Sequence, residues 1–136
     1  MLEKLANILI VDDEPSSMQI LCNILEGSFN LHLATTGEEG IAVFKKNDID
    51  LVLMDVDLPD MSGFDAVKQI FQAKDSIPPK VFFVSGYDDL VFEVQAFKAG
   101  AVDYLVKPIS PVRVLIRVNV HLNVNAPLPG LSGQLL

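Results

Sequence analysis

The chain has 136 residues, half of them hydrophobic and 21% charged, which makes one ordinary domain with room for a real core. Its longest apolar stretches fall far short of the ~20 residues that span a bilayer, so no membrane partner is expected. The formal net charge of -8 argues against nucleic acid as a direct partner, because that footprint is a basic patch on one face. The charge is also uneven. All eighteen acids lie at or before Asp103, whereas Lys107, Arg113 and Arg117 follow it. The N-terminus MLEKLANILIV runs into Asp12 and Asp13 without a small-residue cleavage pattern, so no signal peptide is read and a cytoplasmic location is expected. The single cysteine, Cys22, sits among Ile20, Leu21, Ile24 and Leu25 and reads as a small core residue, with no disulfide.

Short apolar runs alternate five times with amphipathic segments, the pattern of a parallel sheet with crossover helices. The first strand is expected at residues 8–11, followed by a helix with Pro15 in its first turn. A second strand at 31–34 leads to Thr36-x-x-Glu39, a capping box opening the helix that carries Ile41 and Phe44. The third strand, 51–54, is apolar on both faces and delivers Asp55 to its end; Gly63 then precedes Phe64, Val67, Ile70 and Phe71 at helical spacing. The fourth strand is 81–84. Leu90, Val91 and Val94 mark the core face of the next helix, Phe92 lies beside them, and Gly100 is its stop. The fifth strand is 103–106. From Val112 to Val124 hydrophobic residues alternate strictly, which alone reads as β. Ser110-Pro111 as cap and first-turn proline, and the position after a strand in a βα series, favour a helix, which is the expectation adopted. The tail APLPGLSGQLL lacks periodicity and reads as linker.

Strand ends carry the chemistry. In an open α/β sheet the ligand crevice lies outside the carboxyl ends of the strands, and here those ends bear Asp12 and Asp13, Asp55, Ser85, and Lys107. Two carboxylates about 4 Å apart repel by roughly 4 kcal/mol at an effective dielectric of 20, so such a cluster needs a counter-charge. A hard divalent cation that keeps part of its water shell, Mg2+, suits it. A carboxylate beside Mg2+ and an ammonium can attack phosphorus, since both cations neutralise the transferring group, and Ser85 and Lys107 are placed to hold phosphoryl oxygens.

The runs ILIVDDEP, LVLMDVDLPDMSGFD, FFVSG and GAVDYLVKPIS stand in the order and spacing of a receiver domain of two-component response regulators, which the chain resembles over roughly residues 5–124. The resemblance implies a flavodoxin-like, doubly wound sheet of five parallel strands in order 2-1-3-4-5 with five helices. It implies Asp55 as phosphoacceptor, Asp12 and Asp13 with the Asp57 backbone carbonyl as Mg2+ ligands beside Asp55, and Ser85 as switch hydroxyl. Lys107 corresponds to the family's lysine, Tyr104 to the aromatic that turns inward, and Lys107-Pro108 to a cis peptide. Gly86 stands where Ala is usual, and Asp57 and Tyr87 occupy two variable positions that tune phosphoryl lifetime. His32 and His121 have no place in the motif and read as surface or partly packed.

The resemblance further implies a histidine kinase or phosphotransfer protein as donor, self-catalysed transfer without enzymatic turnover, and a response on the fourth-helix, fifth-strand, fifth-helix surface. Phe92, beside the core-facing residues of the fourth helix, leaves apolar surface for a partner, and phosphorylation-dependent homodimerisation through that face is expected. Residues 1–124 are expected to form the receiver. Residues 125–136 are expected to be a linker or tail towards an output domain, for which diguanylate cyclases and cyclic-dinucleotide phosphodiesterases are models. Two alternatives stand beside this. Asp55-x-Asp57 also resembles the opening motif of haloacid-dehalogenase-like phosphatases, with Asp55 as nucleophile, but no acid follows Asp103 to bind metal downstream of the lysine. A phosphorylation-independent module of the same fold would have no need of Asp55, Lys107 and the acidic pair.

Overall fold

The structure, a computed structural model, describes residues 4–73 and 77–129. Five strands and five helices alternate: β1 Asn7–Val11, α1 Pro15–Leu25, β2 Asn30–Ala34, α2 Gly37–Lys46, β3 Leu51–Asp55, α3 Gly63–Ala73, β4 Lys80–Ser85, α4 Leu90–Lys98, β5 Asp103–Val106 and α5 Pro111–Leu122. Every strand pairs in parallel, in the order β2-β1-β3-β4-β5. This is the expected doubly wound architecture. The chain leaves β1 towards one edge and returns to β3 on the other side, so the topological switch point lies between β1 and β3.

Helices cover both faces of the sheet, which is why the central strands are apolar throughout. All five residues of β3 are buried. On one face Leu9, Val11, Val52, Met54, Val81 and Phe83 pack with Ile41, Phe44, Val67 and Ile70 of α2 and α3. On the other, Ile8, Ile10, Leu51, Leu53, Phe82 and Val84 pack with Leu21 and Leu25 of α1 and Val114, Leu115 and Val118 of α5. Each such side chain contributes about 1.5–3 kcal/mol by leaving water.

Local signals start and stop the helices. Pro15 occupies the first turn of α1. Thr36 Oγ1 accepts the Glu39 N–H at 3.1 Å, whereas the Glu39 carboxylate bonds to Thr35 N–H rather than to the cap residue itself. A second cap for α2 arrives from far along the chain: Asp60 accepts the N–H groups of Gly37 and Glu38 at 2.8 and 2.9 Å. Those two hydrogen bonds, Glu38 first, hold the Asp60 carboxyl below its usual range. Gly100 follows α4 with φ +102°, a conformation that L side chains rarely adopt.

The alternating segment is a helix. Ser110 Oγ accepts Arg113 N–H, Pro111 sits in the first turn, and Asn123 in the left-handed region terminates it. The strict alternation splits into two helical stripes: Val114, Leu115 and Val118 are buried, while Val112, Ile116 and Val120 are exposed. Beyond α5 the chain turns back along it. Asn119 exchanges two hydrogen bonds with the Ala126 backbone, at 3.0 and 3.1 Å, and Val124, Ala126 and Leu128 lie against the α1–α5 side of the core. Residues 130–136 of the expected tail lie outside the described residues.

Two expectations are corrected. Leu90, Val91 and Val94 do not face the core: Leu90 is 71% and Val91 72% exposed, and Phe92 and Ala96 turn inward instead. The Asp89 carboxylate caps the start of this helix by accepting Phe92 N–H at 3.0 Å. Cys22 lies half-buried at the edge of α1 and not within the core; burial, then the charge of Glu26, pushes its thiol up from its ordinary value.

Gly63 is where the fold presses on the end of β3. A Cβ there would overlap the Asp55 carbonyl oxygen and come within 3.0 Å of Val56 Cα, both backbone atoms that have nowhere to go. Gly63→Ala should therefore destabilise the chain by about 1–3 kcal/mol, as overpacking does, a loss to be read from denaturant melts against Gly86→Ala. A Cβ at Gly86 meets open space, so that variant should melt like the parent.

Candidate functional site

Register explains how residues 12, 55, 85 and 107 meet. Val11 pairs with Met54, Asp55 with Val84, and Ser85 with Val106, so the next residues of β1, β3, β4 and β5 emerge side by side at one edge. Asp12 is 2% and Asp55 4% exposed. Oxygens of Asp12, Asp13 and Asp55 lie within 4.8 Å of one another.

One ammonium answers three of the acids there. Lys107 Nζ is 2.8 Å from Asp55 Oδ2 and 3.1 Å from Asp12 Oδ2, and it also contacts Glu14. Burial alone would lower the lysine, but its bonds to Asp55 and Glu14 and the charge of Asp12 push it up overall, so it stays charged. Asp55 is raised to about 6: burial outweighs the Lys107 hydrogen bond, the repulsion of Asp12 adds to the rise, and the Asp57 N–H at 3.0 Å opposes it. Asp12 Oδ1 accepts Glu14 N–H at 2.9 Å, while buried Asp12 Oδ2 has the Lys107 ammonium as an ion-pair partner at 3.1 Å but no well-aligned hydrogen bond. A buried carboxylate oxygen with an unused lone pair, facing two more carboxylates, fits a hard cation.

The flanking residues are also where the sequence places them. Ser85, 1% exposed, ends β4, and its Oγ accepts the Tyr87 N–H at 3.0 Å. Tyr104 is buried and its hydroxyl donates to the Tyr87 carbonyl at 2.6 Å; burial, ahead of the acids Asp89, Glu93 and Asp88, raises its phenol. Lys107-Pro108 is cis. Asp57 and Tyr87 are exposed on the rim. Neither histidine enters the site: half-buried His32 lies 3.4 Å from Asn7 Oδ1, and His121 packs on Phe82 with Nε2 3.2 Å from Asp103 Oδ2. Three acids outside the motif reading have definite partners: Glu14 on Lys107, Asp60 on the start of α2, and Asp103, whose Oδ1 accepts from Arg117 at 2.6 Å. Glu14 was legible in principle as a third acid next to the pair; the other two are tertiary contacts.

This geometry of acids, hydroxyl and lysine coincides with a match to the response regulator receiver domain over residues 8–119. The chain belongs to that family. It is 36% identical over 119 residues to the transcriptional regulatory protein YvrH of Bacillus subtilis, covering 86% of this chain and 49% of that protein. It is 34% identical to a probable cyclic di-GMP phosphodiesterase of Vibrio cholerae, covering 85% of this chain and 26% of that one. The chain thus spans half or less of the length of these relatives. Among solved structures, a CheY-like receiver domain protein from Methanospirillum hungatei superposes with TM-score 0.80 at 31% identity, covering 88% of this chain and 95% of that one. The receiver of the CheX-CheY-BeF3-Mg complex of Borrelia burgdorferi gives TM-score 0.79 at 28% identity, covering 86% and 89%.

The haloacid-dehalogenase-like alternative has no support, because the acids that join Asp55 come from β1, upstream, as in a receiver. A relative is named as a transcriptional regulator, so the acidity of this chain does not exclude nucleic acid as a partner. No described helix is long and apolar enough to cross a membrane.

Folding holds the Asp55 proton more tightly than the unfolded chain does, raising its value from 3.8 to about 6. The resulting cost is absent well below the ordinary value and complete above about pH 6, where it amounts to about 2–3 kcal/mol. In chelating buffer, Asp55→Asn should therefore raise the melting temperature at pH 7, and the gain should shrink steadily as pH falls to about 4. Equal melting of both proteins at pH 7 would contradict the raised value.

Proposed function

We propose that this receiver takes a phosphoryl group onto Asp55 from the phosphohistidine of a kinase or phosphotransfer protein and answers by altering its α4-β5-α5 surface. The observation that carries the reading is the Asp55 carboxylate itself: buried, bonded to Lys107 at 2.8 Å, and within 4.8 Å of two other acids. An Asp55 oxygen attacks phosphorus, the P–N bond breaks with its electron pair going to the imidazole, and an acyl phosphate forms. Asp12, Asp13, Asp55 and the Asp57 carbonyl would hold Mg2+, which neutralises charge on the transferring group when bound. Lys107 supplies the second positive charge and Ser85 a donor to a phosphoryl oxygen. The transfer is read as a single labelling event and not turnover. Cytoplasmic residence follows from a donor of this kind.

The surface that would respond is unusually apolar. Leu90, Val91 and Val94 line a shallow hollow with Gln95 and Lys98, and Val112, Ile116 and Val120 form an exposed stripe on α5. Patches of this sort mark protein contacts. We propose homodimerisation through this face on phosphorylation. Residues 1–124 are the receiver, and 125–136 lead towards an output on a longer polypeptide, a reading supported by the length of the relatives.

Acetyl phosphate with Mg2+ should add one phosphoryl group to the chain by intact mass, and either chelator or Asp55→Asn should abolish the addition. Asp13→Ala should weaken Mg2+ binding, Lys107→Ala should leave it nearly intact while uncoupling the response, and Ser85→Ala should be labelled without the full response. Continuous phosphate release from excess phosphate ester would refute the acceptor reading in favour of an enzyme.

Beryllofluoride should raise the sedimentation coefficient of the parent chain at high concentration. Leu90→Asp with Val94→Asp should keep the labelled chain monomeric while leaving the label on Asp55 unchanged; association that survives both substitutions would place the dimer elsewhere.

A further inference from the structure

Tyr87, in the loop between β4 and α4, touches four parts of the molecule at once. Its N–H donates to Ser85 Oγ at 3.0 Å, and its carbonyl accepts the Tyr104 hydroxyl at 2.6 Å. Its phenol bonds to the Asp57 side chain, and that bond and the charge of the carboxylate push it up from its ordinary value. Its ring lies flat on Phe92 of α4, with centroids 4.2 Å apart and planes 6° from parallel. The two backbone bonds could be made by any residue other than proline, as far as the N–H is concerned. The ring and the phenol require tyrosine.

The other end of the contact is equally selective. α4 buries only Ala96 completely, and Leu90, Val91, Val94 and Phe97 are exposed. Its remaining inward contacts with the core are the partly buried Phe92 and, just past its end, Ala99. Phe92 is thus the main attachment of the first turns of α4, and it rests on the loop that leaves Ser85. A helix held by so few apolar contacts moves at small cost in free energy.

We propose that the Tyr87–Phe92 ring stack is a coupling element that ties the position of α4 to the Asp55 pocket. The inference rests on the phosphoacceptor reading of Asp55. A hydroxyl drawn from its place by a phosphoryl oxygen shifts the acceptor of the Tyr87 N–H. The loop follows, and the stacked ring carries the displacement to Phe92 and the first turns of α4. Tyr87 acts here as a positioning residue: its ring transmits the change and does not touch the phosphoryl group. A stack of this kind biases a two-state equilibrium about two- to tenfold beyond the area it buries. That is enough to decide whether a weakly held helix follows its loop.

The experiment uses the whole chain and two readouts: label on Asp55 from acetyl phosphate by intact mass, and hydrogen exchange of the α4 amides with and without Mg2+ and beryllofluoride. Phe92→Leu should be labelled like the parent but lose most of the beryllofluoride-dependent change in α4 exchange. Phe92→Tyr, which keeps a stacking ring, should restore that change, and Tyr87→Phe, which keeps the stack without the phenol, should retain it. A Phe92→Leu chain whose α4 responds like the parent overturns the proposal, as does loss of the response in Phe92→Tyr. Absence of label on the unaltered chain fails the acceptor reading itself, and the coupling with it.

Discussion

Three carboxylates crowd the edge of the sheet, and the Lys107 ammonium lies against two of them. Asp12 and Asp55 are both buried, and without a cation between them their repulsion would have to be relieved by protonation or by movement of the strands. Lys107 reaches both from the far side of the pocket, together with Glu14. Its reach depends on β4 and β5 pairing in a register that brings Val106 level with Ser85, so that Lys107 is the next residue out, and on β1 and β3 being neighbours. The sheet topology and the electrostatics of the site are therefore one constraint. Even so the balance is incomplete, because Asp55 stays raised to about 6. A cation in the pocket would make up that remaining deficit of positive charge.

The helices are held very differently. α1 and α5 pack a continuous apolar surface, extended by the returning segment at Val124, Ala126 and Leu128. α4 rests on Ala96, Phe92 and Ala99, with larger apolar residues facing out. Conformational change concentrates where few contacts must be broken, so a change at the Asp55 pocket would have its least costly outlet through α4. The same lack of inward contacts leaves the apolar face of α4 available to a partner.

Much of this was legible along the chain. Five apolar runs, each followed by helical spacing, dictated the α/β class, and the strand-end residues Asp12, Asp13, Asp55, Ser85 and Lys107 identified the pocket, because a parallel sheet puts all such ends on one edge whatever the details of packing. Ser110-Pro111 and the place in the βα series correctly outweighed the alternation of residues 112–124, since a helix cap and first-turn proline act locally while alternation has meaning only if a sheet partner exists. The inward face of α4 was misread. Leu90, Val91 and Val94 share one face of the helix, but a shared face does not say which side meets the core.

Tertiary structure alone decided that phase, by burying Ala96 and Phe92 against the rest of the core. It also decided the cross-chain cap of α2 by Asp60, the grip of Glu14 on Lys107, the burial of Asp103 against Arg117 and His121, and the return of residues 124–128 along α5. The division has a physical cause. Backbone periodicity and capping are short-range and appear in any window of a dozen residues. Which acid finds which donor, and which side of a helix is covered, depends on groups up to ninety residues apart that become neighbours only once the sheet has formed.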